Sequence, residues 1–220
     1  MFNSYLEMTP ENKHIMFANA VIEHLKFVVI SLDTILGCFQ QQCDKSRFYE
    51  DKYAFYFYHL QNALVSCGNI NNVFMDRQNP NSAAYVRANL LREKFDVNLG
   101  DYTCLFNKNF RNTSEHFDER YDSYYDSMPG FGDYNIISSD TPLALKNEIL
   151  DSSSLRTLDL TEKKYKTYDR NGGRITLDLQ KLRSEAYELL YKISSHELVA
   201  NSVLTNIPTE MIEEKLTPIN

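Results

Sequence analysis

From Ala18 onward, apolar residues recur at spacings of three and four: Ala18, Val21, Ile22, Leu25, Val28, Val29, Leu32, Ile35, Leu36 and Phe39. A stripe of this length on a 3.6-residue period commits the chain to a long helix whose apolar face needs a partner. Thr9-Pro10-Glu11 opens it with a capping residue, a proline at the first helical position and an acidic first turn, and the pattern predicts a helix to about Gln42. A second stripe, from Phe48 through Tyr53, Tyr56, Phe57, Leu60, Leu64, Cys67, Ile70 and Phe74, predicts a helix of nearly equal length packed antiparallel on the first. With only 7 Gly and 6 Pro in 220 residues, there is too little punctuation for a many-turned sandwich. The fold class is therefore mainly α.

After the stop and cap cluster Asn79-Pro80-Asn81-Ser82, Ala84, Tyr85, Ala88, Leu91 and Phe95 predict a shorter third helix ended near Asn98-Leu99-Gly100. A fourth helix is expected from about Asp101, carrying Leu105, Phe106, Phe110, Phe117, Tyr121 and Tyr124, and stopping before Pro129. Beyond Gly132 the character changes. A loop at Ser138–Pro142 precedes a short helix expected over Leu143–Leu150. Tyr165–Asp169 and Arg174–Asp178 then flank Asn171-Gly172, a strong hairpin signal, because both central residues of a type I′ turn need positive φ. A two-residue loop would set Asp169 opposite Arg174 and Tyr168 opposite Ile175. Asp178 caps a last amphipathic helix through Leu182, Ala186, Leu189, Leu190 and Ile193, and a loosely held tail is expected after it.

Hydrophobic residues make up 43% of the chain and charged ones 24%, a globular balance. No run of about 18 uncharged apolar residues is present, and Met1–Asn12 lacks a basic segment followed by an apolar one. The expectation is a soluble, unexported, cytoplasmic protein with no membrane partner. Cys38, Cys43, Cys67 and Cys104 form no C-x-x-C pair, so buried free thiols are expected rather than a zinc site or disulfides. The net charge of -7 argues against indiscriminate nucleic-acid binding. The charge is uneven, with 9 basic and 6 acidic residues over 155–192 against 13 and 20 over 1–154. Lys163, Lys164, Lys166, Arg170 and Arg174 concentrate on the hairpin, where a solvated face is the simpler reading and a phosphate track or an acidic partner the sharper one.

The stretch richest in chemistry is Phe110-Arg111-Asn112-Thr113-Ser114-Glu115-His116-Phe117-Asp118-Glu119-Arg120, a polar run where a bundle helix is otherwise aromatic. Asn112 and His116 share one helical face, whereas Arg111 and His116 lie about 140° apart at 100° per residue. A straight helix cannot aim both at one small target. Either Arg111 sits at a bend or helix start, or the pair acts across a symmetric interface. Plainer readings use the same residues: Arg111 and Glu115 as an i,i+4 ion pair, and Tyr121, Tyr124 and Tyr125 as core filling rather than base-stacking groups. A divalent site at Glu115, His116, Glu119 and Asp122 is disfavoured, because carboxylate-bridged bundles need E-x-x-H from two helices. The lone His14, His24, His59 and His196 read as packed or exposed.

An arginine, four residues and a histidine, placed after two long helices, resembles the HEPN superfamily (higher eukaryotes and prokaryotes nucleotide-binding), over roughly residues 10 to 128. The resemblance implies a HEPN-like helical bundle over 1–132. The short helix, the C-terminal β-hairpin and the additional helix of 133–200 would pack on it, followed by the tail 201–220. It implies metal-independent cleavage of RNA by 2′-hydroxyl attack, with no cofactor and no metal. His116 would be the proton shuttle, Arg111 the phosphate clamp, and Asn112 the group that orients the imidazole or holds a phosphate oxygen. The site would be shared by a homodimer, and a nucleotidyltransferase-like antitoxin or a phage-defence system is the implied setting. The alternative is a non-catalytic interaction or nucleotide-binding module using the same helix face. Asp118, Glu119, Asp122 and Asp126 would repel RNA unless they face elsewhere.

Overall fold

The computed structural model describes residues 10–37, 52–75, 79–110, 132–139, 141–143, 154–169 and 172–200. The described residues are mainly helical with one small sheet. Helix α1 (Pro10–Ile35) packs along α2 (Lys52–Phe74) and along α4 (Leu179–Ser194); α3 (Ala83–Lys94) lies against α2, and the short α5 (Glu197–Ala200) returns to α1. The stripe read from the sequence is the core of α1: Val21, Leu25, Val28 and Leu32 are fully buried. Leu182, Ala186, Leu189 and Ile193 of α4 belong to the same continuous apolar cluster.

Helix α1 is long and apolar enough to cross a membrane by length and composition, a character the sequence reading did not anticipate. Its packing explains part of this. Contact with α2 and α4 accounts for the buried stripe, while the apolar Met16, Phe27 and Ile30 are about half exposed. It also ends earlier than Gln42. Gly37 takes φ 80° and the Gly37 amide donates to the Thr34 carbonyl, so the left-handed residue terminates the helix while apolar residues are still to come. At α3 the start is as expected, with the Ser82 hydroxyl accepting the Tyr85 amide at 3.1 Å. The end is not near Gly100. Asp96 adopts φ 50°, and the Asp96 and Val97 amides reach back to Glu93 and Arg92, a Schellman closure without glycine.

The C-terminal hairpin belongs to a larger element. Strands β1 (Gly132–Ile137), β2 (Ser154–Asp159), β3 (Lys164–Tyr168) and β4 (Arg174–Asp178) form one sheet in that order, β1 parallel to β2 and the rest antiparallel. One face, Ile136, Leu158, Tyr165 and Leu177, joins the helical core. The other is buried over β1 and β2 at Ile137, Leu155, Thr157 and Asp159 but open over β4. The hairpin register also differs from the expected one: Tyr168 pairs with Arg174 and Thr167 with Ile175. Five residues connect the strands, the Asp169 amide donates to the Gly173 carbonyl across them, and Gly172 supplies a positive φ of 76°. The Asp169 carboxylate also holds the Gly173 amide at 2.9 Å. Asp169 and Arg174 are therefore not cross-strand partners. The short helix expected over Leu143–Leu150 falls, after Leu143, outside the described residues, as does the tail 201–220.

Candidate functional site

Arg111, Asn112 and His116 lie outside the described residues, and so do Glu115, Glu119, Asp122 and Tyr121. What the structure places is the chain that delivers them. After α3 a 3-10 turn (Leu99–Asp101) leads to Tyr102, which is fully buried. Its hydroxyl donates to Glu188 of α4 at 3.4 Å; burial, followed by the Glu188 carboxylate, pushes its pKa up to about 12. Phe106 meets the Phe74 ring of α2 and the Tyr102 ring edge-on. The fourth helix does not start at Asp101. It starts at Lys108, where the Asn107 side chain accepts the Asn109 amide at 3.0 Å, and Phe110, directly before Arg111, is buried in the core.

Two buried polar side chains grip the intervening turn. Glu185 of α4, 5% exposed, accepts the Cys104 and Leu105 amides on one oxygen, Oε2, at 2.9 and 2.8 Å. Its other oxygen accepts the Thr103 hydroxyl at 3.4 Å and lies 3.9 Å from the Lys181 ammonium. From the opposite side Asn71 of α2, also buried, donates from Nδ2 to the Leu105 carbonyl at 3.3 Å. An irregular backbone inside a core must find partners for its amides and carbonyls, and these two side chains supply them. Asn71 and Glu185 were not singled out in the sequence. The readable signal was a polar residue on an apolar face: Glu185 lies between Leu182 and Ala186 and one turn from Leu189.

A second buried polar group joins α1 to α4. Asp33, 1% exposed, accepts Arg183 Nε on one oxygen and the Tyr187 hydroxyl on the other, at 2.9 Å for the latter. The Arg183 guanidinium lies over the Tyr187 ring at 4.8 Å. Further along α4, Lys192 donates to the carbonyl and the carboxylate of Asp96, tying down the left-handed end of α3.

The remaining sequence candidates sort themselves by contact. His59 packs edge-on against Phe55 and Tyr58, and His196 against Phe95; burial lowers the pKa of His59 and of His24. On the hairpin, Lys166 lies 3.7 Å from the buried Asp159 carboxylate and Lys164 3.3 Å from Glu162, so two of the cations already face acids. Arg174 stands 6.0 Å from the centre of the Tyr168 ring, and Arg170 is outside the described residues. Cys67 and Cys104 are free thiols. Burial, then the nearby Glu185 charge, pushes Cys67 up to about 12 and also raises Cys104, which keeps both protonated and unreactive at neutral pH. Cys38 and Cys43 lie outside the described residues. Among the described residues no group of three or more His, Cys, Asp or Glu could hold a metal.

No protein-family model matches the chain, and neither a curated protein nor a solved structure matches it.

Proposed function

We propose that this chain is a metal-independent endoribonuclease of HEPN type, working as a cytoplasmic homodimer in which His116 moves the proton of the ribose 2′-hydroxyl. Arg111 holds the scissile phosphate as charge develops on its oxygens, and Asn112 orients the imidazole. The supporting observation is where the chain is gripped. Arg111 directly follows Phe110, which is buried in the core that α1 and α2 share, at the end of a turn held by Asn71 and Glu185. A phosphate clamp and a proton shuttle need backbone fixed in this way, since misplacement by about 1 Å can cost about a hundredfold in rate. A two-fold axis would bring Arg111 of one protomer toward His116 of the other, which removes the 140° conflict on a single helix, taken at about 100° per residue. A nucleotidyltransferase-like antitoxin is the proposed cellular partner.

The second reading, a non-catalytic interaction module, is favoured by the apolar Met16, Phe27 and Ile30, each about half exposed on α1. Structured RNA incubated with the protein in EDTA separates the two. The enzyme reading expects cleavage with a 2′,3′-cyclic phosphate product that falls by about a hundredfold or more in both His116→Ala and Arg111→Ala. Intact RNA, with both variants folded, rejects it and leaves the module. Cleavage lost in EDTA and restored by manganese rejects both.

A further inference from the structure

We infer that β4 is the edge at which a second copy of this chain joins the sheet, antiparallel and centred on Thr176. The inference stands apart from the nuclease reading, since every residue it uses belongs to β3, β4 or the ends that join them. β4 is last in the order of the sheet, and no described strand lies beyond it. Two bonds fix which way its backbone groups point: the Asp169 amide donates to the Gly173 carbonyl, and the Leu179 amide to the Lys163 carbonyl. In an antiparallel ladder every second residue faces the neighbour, so Ile175 and Leu177 bond toward β3. The amides and carbonyls of Arg174 and Thr176, and the amide of Asp178, therefore point away from it. The side chains of these three residues are exposed as well.

The order of residues along the edge says what covers it. Arg174-Ile175-Thr176-Leu177-Asp178 is self-complementary about its centre. With Thr176 set on its own copy, Arg174 lies opposite Asp178 of the second copy and Ile175 opposite Leu177 of the second copy, and symmetry repeats both pairs. The outward-pointing groups meet in this same register: each Thr176 amide finds the other Thr176 carbonyl, and each Asp178 amide the opposite Arg174 carbonyl. On β3, Lys164 is paired with Asp178 and Tyr168 with Arg174. The second copy thus continues a row that alternates in charge, Lys164 and Asp178 followed by its own Arg174. A parallel approach would set Arg174 against Arg174, and a slip of two residues would part both charge pairs. Sheet edges that are kept apart carry Lys, Pro or a bulge, and β4 has none of these.

Sedimentation equilibrium of the full chain tests this, using charge reversals that forbid self-pairing. Arg174→Asp presents two acids and Asp178→Arg two bases, so the dissociation constant of each alone should rise about tenfold or more over the wild type. Mixed in equal amounts, the two should form dimers again, because every Asp then meets an Arg. The Asp178 carboxylate also accepts the Lys181 amide at 2.9 Å, so Asp178→Arg removes the cap of α4. If that variant does not fold, Thr176→Pro carries the test: it deletes an amide that faces away from β3 and should give monomers with β4 still in place. A wild type that is monomeric at about 100 μM overturns the inference. So do single variants that dissociate and fail to combine. A dimer that neither the reversals nor the proline weakens overturns it too, and leaves the homodimer of the nuclease reading standing on another surface.

Discussion

Asp33 and Glu185 are both carboxylates buried in the helical core, and they are satisfied in opposite ways. Asp33 sits between two regular helices whose own amides and carbonyls are already paired, so it needs side-chain partners and finds Arg183 and Tyr187. Glu185 faces an irregular turn whose unpaired amides need an acceptor, so it is itself the missing partner. An ion pair between helices can be exchanged for apolar packing, whereas backbone amides cannot be removed. The polar group at Glu185 is therefore tied to the path of the chain, and the one at Asp33 is not.

The largest effect expected from this contrast is at Arg183. Arg183→Met strands a buried carboxylate on the Tyr187 hydroxyl and costs about 3 to 5 kcal/mol in urea unfolding, while adding Asp33→Leu recovers most of the loss. Failure of the double variant to recover would mean that the ion pair shapes the α1–α4 contact as well as neutralising it. Next comes Glu185→Ala, which leaves two amides without an acceptor and costs about 1 to 3 kcal/mol. Here no apolar side chain restores stability and glutamine does, the reverse of the outcome at Asp33. Equal rescue of both sites by apolar residues would break the distinction.

Smaller is the pH dependence carried by Cys67. Its thiol ionises near 9.0 when unperturbed and is pushed up to about 12 in the fold. The folded state thus holds the proton more tightly. The stability this gives is complete below about pH 9 and is lost as the pH rises toward 12, and Cys67→Ala removes its share of that slope. Smallest of all, Glu185→Gln lowers the Cys67 pKa only slightly, because burial is the larger cause and the Glu185 charge the lesser. Thiol reactivity measured from pH 8 to 11 reads this directly.

Periodicity carried the helices, because α1, α2 and α4 bury one stripe each and the stripe is visible as spacing. It could not carry their ends. Gly37 and Asp96 stop helices by a backbone conformation, and Asp96 is not the residue type that usually signals one. Strand β2 was invisible for a different reason: buried on both faces, Leu155, Thr157, Leu158 and Asp159 show no alternation. The hairpin was legible and its register was not, since Asn-Gly suits a two-residue loop and a longer one equally well until Asp169 captures the Gly173 amide. At the candidate site Arg111, Asn112 and His116 lie outside the described residues, and what the structure adds is the turn that precedes them. The grip on that turn was not legible, because the contacts of Glu185 with Cys104 and Leu105 join positions 81 and 80 residues apart.

The central claim is that the turn before Arg111 is part of the core rather than a surface loop. Amide hydrogen exchange of Cys104 and Leu105 tests it most directly. Both should exchange as slowly as the amides of Leu25 and Val28 in α1, and both should lose that protection in Glu185→Ala. Exchange in the wild type as fast as at the exposed turn Leu99–Asp101 would contradict the claim.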